Sequence, residues 1–158
     1  MTAPNQTQID PITTQVIGSG LIAAAEEMRV ALVQTAYSPL IYEVQDFAVA
    51  ILSNKGEMVA QGSSLPLFLP GLSWTIQNGV KKFGLDGFSD GDVIIANDPY
   101  STGTHISDTS IYTPIFFDGE LQGFSGNTAH WADIGGKTPG GWCPDSNDVF
   151  QEGMIFSH

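Results

Sequence analysis

Basic residues are scarce in this chain. Five of them, Arg29, Lys55, Lys81, Lys82 and Lys137, stand against 17 acidic residues, for a net charge of −12. A chain this poor in cations lacks the basic face that displaces counterions from nucleic acid, and it has no patch to hold it on an anionic membrane. One arginine is too few to clamp a triphosphate unaided. Cysteine is nearly absent as well. Cys143 alone excludes an internal disulfide framework and suits a reducing compartment. No run approaches eighteen apolar residues, so no membrane span is expected. Residues 1–10 have neither the basic nor the apolar region of a signal peptide. The cytoplasm is the compartment these absences leave. The acidity itself fits either plain solubility or carboxylates gathered near a metal.

What is present is enough for one domain. The chain has 158 residues, 42% of them apolar, which supports a single core. Residues 1–9 are polar and expected to be a disordered tail. Asp10-Pro11 opens a helix, with Asp as cap and Pro in the first turn. Apolar residues from Ile12 to Leu32 recur at helical spacing, so the helix should run to about Thr35 and be largely buried. The pre-proline segment Ala36-Tyr-Ser-Pro39 ends it. Phe47 to Leu52 and Glu57 to Ala60 read as strands joined by an Asn54-Lys-Gly56 turn. Two prolines make 65–70 a loop. A second helix is expected over 73–83, with Ile76, Val80 and Phe83 inward, Trp74 near its start, and Gly84 as its stop. Asp92 to Ala96 is a short strand. Residues 109–117 and 120–128 form a hairpin about Asp118-Gly119, with Pro114 marking an edge or a bulge. Residues 134–146 are a Gly/Pro-rich loop, and Val149 to Ser157 should begin another strand. The fold class is α+β: a long N-terminal helix and a second helix packed on a mixed, largely antiparallel sheet with hairpins. The chain ends at His158 in apolar sequence, which points to a longer polypeptide of which 10–158 is one segment.

Two segments carry the chemistry. Asn97 to Asp108 contains His105 and Asp108, and Ala129 to Asp133 contains His130 and Asp133. Histidine and aspartate together are the ligands of a divalent metal or the groups of acid–base catalysis. The hairpin brings the two segments together. Regular pairing outward from Phe117 and Glu120 sets His130 opposite Ser107 and Asp133 opposite Thr104, and one bulge would shift this by a residue. Facing Cβ atoms lie roughly 4.5–5.5 Å apart, close enough to share an ion. His105, Asp108 and His130 are therefore candidate metal ligands that leave open positions for catalysis. Asp133 is a candidate catalytic group, as a further ligand or as the group that orients His130. Asp98 is a candidate of the same kind. The competing reading is two loop histidines bonded to nearby carboxylates. A non-haem iron oxygenase uses the same ligand types and is a further alternative.

Other motifs fail on spacing. Gly136-Lys-Thr138 lacks the upstream glycine and the following helix of a phosphate loop. Ser125 does not sit in a nucleophile elbow. Cys143 has no basic neighbour in sequence to activate it and reads as a packed thiol. Tyr37, Tyr42 and Trp131 can line a pocket or the core.

Taken together, Asp10-Pro-Ile-Thr, Ala24-Ala-Glu-Glu-Met28, Thr35-Ala-Tyr-Ser-Pro39, Asp46-Phe, Gly56-Glu-Met-Val-Ala-Gln61, Asn97-Asp-Pro-Tyr100, Gly103-Thr-His-Ile-Ser-Asp108, Ala129-His, Asp133-Ile-Gly-Gly136 and Gln151-Glu-Gly153 resemble the B-type subunit of the hydantoinase/oxoprolinase family. That family includes ATP-dependent hydantoinases and lactamases, 5-oxoprolinase, and acetone and acetophenone carboxylases. The resemblance implies a catalytic subunit several hundred residues long in a hetero-oligomer. Its A-type partner binds ATP and Mg and phosphorylates a small carbonyl or cyclic-amide substrate. Through the ketone carboxylase branch it also implies a divalent metal (Mn, Zn or Fe) on the residues matching His105, Asp108 and His130, with hydrolysis or carboxylation as the outcome. A non-catalytic assembly role in the same complex is the remaining alternative. Two departures bear on the substrate. Trp131 stands where many relatives have histidine, and Val44-Gln45 where many have an arginine before Asp-Phe.

Overall fold

Asp10 and Pro11 start the first element. The computed structural model describes residues 10–102, 105–140 and 143–158. The Asp10 carboxylate accepts the Ile12 and Thr13 N–H groups at 3.4 and 3.0 Å, and helix α1 (Pro11–Thr35) follows. It passes through Gly18 and Gly20 without a break, and it ends before Ala36 as the sequence predicts. Its burial differs from expectation. Ala25 is its one fully buried residue among those described, while Ile12, Val16 and Ile17 are exposed. The sheet underlies only the second half, where Leu21, Ala24, Ala25, Met28, Leu32 and Val33 pack. Helical spacing reports a face but not the length of its partner. A one-turn helix, α2 (Pro39–Tyr42), follows at once.

Five strands make one sheet: β1 (Phe47–Ser53), β2 (Met58–Gln61), β3 (Ile94–Ala96), β4 (Asp108–Phe117) and β5 (Glu120–His130), in the order β2-β1-β5-β4-β3. Every described pairing is antiparallel. β1 is nearly continuous in apolar residues because both its faces are covered. Phe47, Val49 and Ile51 face α1, and Ala48, Ala50 and Leu52 face the helix on the other side, α3 (Leu69–Phe83).

Helix α3 starts four residues before the expected Ser73. A 3-10 turn, Pro66–Phe68, leads straight into it. Pro70 lies in the first turn, where its missing N–H has no helical partner to lose, so it is compatible with the helix. The inward stripe is accordingly Leu69, Leu72 and Ile76, with Val80 partly buried; Trp74 and Phe83 are exposed. Gly84 stops the helix at φ 72°.

Gly79 of α3 touches β4. A Cβ there would sit 1.9 Å from the Tyr112 hydroxyl, which is buried with no hydrogen-bond partner among the described residues. Burial pushes that phenol well above its ordinary pKa. Gly79→Ala is expected to destabilise the full-length polypeptide by about 1–3 kcal/mol, the overpacking cost exceeding the helix-propensity gain. Tyr112→Phe removes the orphan hydroxyl and should stabilise by about 1 kcal/mol. In the double variant most of the Gly79→Ala loss should vanish. Chemical denaturation of the four proteins checks this, and additive effects would refute the contact.

The β4–β5 hairpin closes at Asp118-Gly119 with Phe117 opposite Glu120, as expected. The register then shifts between Phe116, which faces Leu121, and Ile115, which faces Gly123. Gln122 is the extra residue. Pro114 lies past the end of β3, which pairs with β4 only over residues 110–112. The segment after 148 is not the expected strand. It holds a 3-10 turn, Val149–Gln151, and then an irregular stretch that Asn97 ties down. Residues 1–9 and Thr104, the expected partner of Asp133, lie outside the described residues.

Candidate functional site

The register shift decides what meets at the end of the hairpin. Asp108 faces His130 directly, in place of the Ser107 that regular pairing predicts. His130 closes β5, and its backbone N–H donates to the Asp46 carbonyl at 3.0 Å, just before β1. His105 lies one turn before β4, with its carbonyl accepting the Asp108 N–H at 3.0 Å. Three donor atoms converge. His105 Nε2 is 3.1 Å from Asp108 Oδ1, His130 Nδ1 is 3.0 Å from the same oxygen, and the two nitrogens are 2.9 Å apart. Asp108 is 2% exposed at its side chain and His130 11%, whereas His105 is 59% exposed and forms the open side.

This triangle is poorly explained by hydrogen bonds alone. Three close approaches need three hydrogens, and with an ionised Asp108 the three atoms carry at most two. With both imidazoles protonated at these positions, the nitrogen–nitrogen contact sets two N–H groups against each other. A single cation satisfies all three lone pairs together. Donors about 2.1 Å from one ion lie about 3.0 Å apart when their bonds meet near a right angle, so the spacing suits a divalent metal.

Asp108 raises the His105 pKa above the ordinary imidazole value, first through the hydrogen bond. Burial opposes this, and the negative charges of Asp108, Asp46 and Glu152 add to it. His105 also lines two cavities. One, of about 410 Å³, is shared with Asp46, His130, Leu40, Ala132 and Gly140. The other, of about 480 Å³, includes Tyr100, Ile106, Asp148 and Glu152.

The other two candidates lie apart from the triangle. The Asp133 carboxylate accepts the Gly135 N–H at 2.8 Å and lines a different cavity, with Trp131, Ala132 and Tyr37. The Asp98 carboxylate accepts the Tyr100 N–H at 3.0 Å and the Ser101 hydroxyl at 3.3 Å at the start of helix α4 (Pro99–Thr102). Trp131 packs against the α1 side of the sheet. Cys143 is buried, donating to Asp145 at 3.2 Å.

Three residues carry more of the site than their sequence positions indicate. Asp46 reaches it because β1 pairs with β5, placing Phe47 opposite Ala129. That pairing has no local signal. Glu152 arrives through the stretch that Asn97 anchors. Asn97, fully buried, donates from Nδ2 to the carbonyls of Ile106 and Met154 at 2.8 and 2.9 Å and accepts the Phe156 N–H at 2.6 Å.

Known proteins share this fold and sequence pattern. The family model for hydantoinase B/oxoprolinase matches residues 10–158. The B subunit of a putative D-/L-hydantoinase from Pseudomonas sp. (strain NS671) is 38% identical over 154 residues, covering 94% of this chain and 26% of that one. The beta subunit of caprolactamase from Pseudomonas jessenii is 36% identical over 146 residues, covering 92% and 25%. The crystal structure of the ATP-dependent caprolactamase from Pseudomonas jessenii superposes with a TM-score of 0.81 at 30% identity, over 96% of this chain and 26% of that chain. The chain thus spans about a quarter of the length of these relatives. No helix among the described residues is long and apolar enough to cross a membrane. An α+β fold shared with caprolactamase and a family match from Asp10 to His158 lead to one conclusion: the chain belongs to the hydantoinase B/oxoprolinase family.

Proposed function

We propose that this chain is the metal-holding part of a catalytic subunit that opens cyclic amides, in a complex whose A-type partner binds ATP and Mg and phosphorylates the substrate. The observation that carries the reading is the convergence of His105 Nε2, Asp108 Oδ1 and His130 Nδ1 within 3.1 Å of one another. The names of the two relatives, a hydantoinase and a caprolactamase, support ring opening by hydrolysis. The scarcity of cations supports placing ATP outside these residues.

These three residues would hold Mn, Zn or Fe. The ion would supply Lewis acidity toward a carbonyl or an ionisable water. The protein's own part is mostly positional. Asp108, buried between two imidazoles, fixes both rings and neutralises part of the charge they gather. The Asp46 carbonyl holds the His130 backbone, so the end of β5 does not fray. His105 leaves one side open to solvent and substrate. Asp133 and Asp98 act here as supports, Asp133 shaping the turn after His130 and Asp98 capping the helix that precedes His105.

Elemental analysis of the full-length polypeptide assembled with its partner tests this reading, together with ATP consumption across lactams, hydantoins and ketones. About one divalent ion per polypeptide and ATP use with a cyclic amide are expected. Oxygen uptake without ATP would favour an oxygenase and overturn the reading. So would full turnover in a His105→Ala complex, which would leave the cluster a purely structural role.

Metal affinity should depend on pH. An ion binding His105 must displace the proton that Asp108 helps retain. Because the His105 pKa is raised, affinity should climb with pH until above the ordinary imidazole range and then level off. Below that range it should fall by at least about tenfold per pH unit. Titration with Zn against a chelator at pH 5.5–8.5 measures this, and a flat profile would argue against His105 as a ligand.

A further inference from the structure

Gln45 is one of three non-glycine residues with positive φ among those described; the others are Asp118 in the hairpin turn and His158. Its φ of 57° is a left-handed conformation that a glutamine disfavours and a glycine would take freely. The turn around it is closely bonded. The Asp46 N–H donates to the Leu40 carbonyl at 2.8 Å, and the Phe47 N–H to the Gln45 carbonyl at 2.9 Å. The chain thereby leaves α2 and enters β1. That path sets Asp46 beside the triangle. Its carbonyl takes the His130 N–H, and its side chain lines the cavity shared by His105 and His130.

The side chain of Gln45 explains why the strained turn is kept. Its Oε1 accepts Arg29 Nη1 at 3.3 Å, from α1. Arg29, the single arginine of the chain, also donates from Nε to Glu26 Oε1 at 2.6 Å. The other oxygen of Glu26 accepts the Ser63 N–H at 3.1 Å, in the loop after β2. The planar guanidinium thus joins α1 and, through these two partners, the loop after β2 and the turn before β1. Its side chain is 20% exposed, so solvent and salt weaken these bonds less than they would at the surface.

We propose that Arg29, acting through Gln45, is a positioning residue of the metal site. The inference rests on the metal-holding role proposed above. The guanidinium fixes the Gln45 side chain, and the side chain holds the left-handed turn. The turn in turn fixes Asp46 against the end of β5, where His130 sits. Neither Arg29 nor Gln45 is among the described lining of the two cavities at His105, so neither is a catalytic residue. A glycine at 45 fits the same turn without strain but leaves it free to open. A backbone outlier held by a specific side-chain bond next to a ligand-bearing strand end is the observation that carries the role.

The test sets Zn affinity against stability in the full-length polypeptide assembled with its partner. Affinity is read by chelator competition at fixed pH, and stability by chemical denaturation. Gln45→Gly is expected to lower affinity about tenfold, the scale of a group that supports a ligand. Its denaturation midpoint should stay near wild type, because relief of the strained φ offsets the freer unfolded chain. Arg29→Met keeps the apolar stem and removes every donor, and should lower affinity by a similar factor. In the double variant the two losses should not add, since both cut the same link. Gln45→Glu keeps an acceptor at the same reach and strengthens it by charge, so it should retain wild-type affinity. Wild-type affinity in both Gln45→Gly and Arg29→Met overturns the inference and leaves the metal-holding role standing. Affinity losses that only track lost stability, that add in the double variant, or that Gln45→Glu shares overturn it too. If the wild-type complex binds no Zn, the metal-holding role falls and this inference with it.

Discussion

Replacing Asp108 with asparagine is expected to strip the proposed divalent ion from the assembled complex and lower turnover about a thousandfold or more, with the fold intact. The carboxylate is buried at the end of β4, and one of its oxygens meets both imidazoles at 3.0 and 3.1 Å. Asparagine preserves shape and an acceptor oxygen but removes the charge that balances a cation. Losing a group that merely supports a ligand typically costs about 10–100-fold in affinity. Losing the one anionic ligand of a three-residue set should cost more. Asp108→Ala should behave similarly toward metal and also lower stability, since it leaves a small void between two rings. The measurements are metal stoichiometry after dialysis, thermal denaturation, and ATP-coupled turnover. An asparagine variant that keeps both metal and rate would mean that the triangle is only a hydrogen-bonded group.

The second large effect is expected at Asn97, which touches none of the three donor atoms. Asn97→Ala should destabilise the protein by about 3–5 kcal/mol, because it strands the carbonyls of Ile106 and Met154 and the N–H of Phe156 in the interior. Asn97→Asp should be at least as damaging, since a carboxylate would face two carbonyls in a dry setting. The loss should extend to the metal. Ile106 follows His105 directly, so freeing its carbonyl lets the 105–108 turn drift. Metal affinity in whatever fraction still folds should fall about tenfold, the scale typical of a supporting group. Denaturation curves and chelator competition measure the two effects. An Asn97→Ala protein with wild-type stability would contradict the role of the amide as a clamp between three segments.

Those two residues show what a linear sequence makes visible. The ends of α1 are legible because a cap and a pre-proline stop act locally. Its exposure is not, because that depends on where a sheet assembled from distant segments runs out. The prolines at 66 and 70 mislead in the same way. Each is compatible with the first turn of a helical element, which composition alone does not distinguish from a loop. At the site, His105, Asp108 and His130 can be placed together from one tight turn and the alternation of a hairpin, and the structure brings these three into contact. Asp46, Glu152 and Asn97 depend on contacts across 84, 47 and 59 residues of chain, between 46 and 130, 105 and 152, and 97 and 156, without a local pattern to announce them.

The hairpin also works as a ruler. Its two arms, ten residues in β4 and eleven in β5, are measured from one fixed end at Asp118-Gly119 to a rung that carries Asp108 and His130. The arms differ by the single unpaired residue, Gln122. A residue added to or lost from either arm would put that rung out of phase and turn one of the two side chains to the wrong side of the sheet. Loss of Gln122 is the exception, since the pairs on both sides of it stay matched. Length changes in this segment should therefore be confined to position 122 or occur in compensating pairs. The spacing between the site's aspartate and its second histidine is set by the geometry of the sheet as much as by the chemistry at its end.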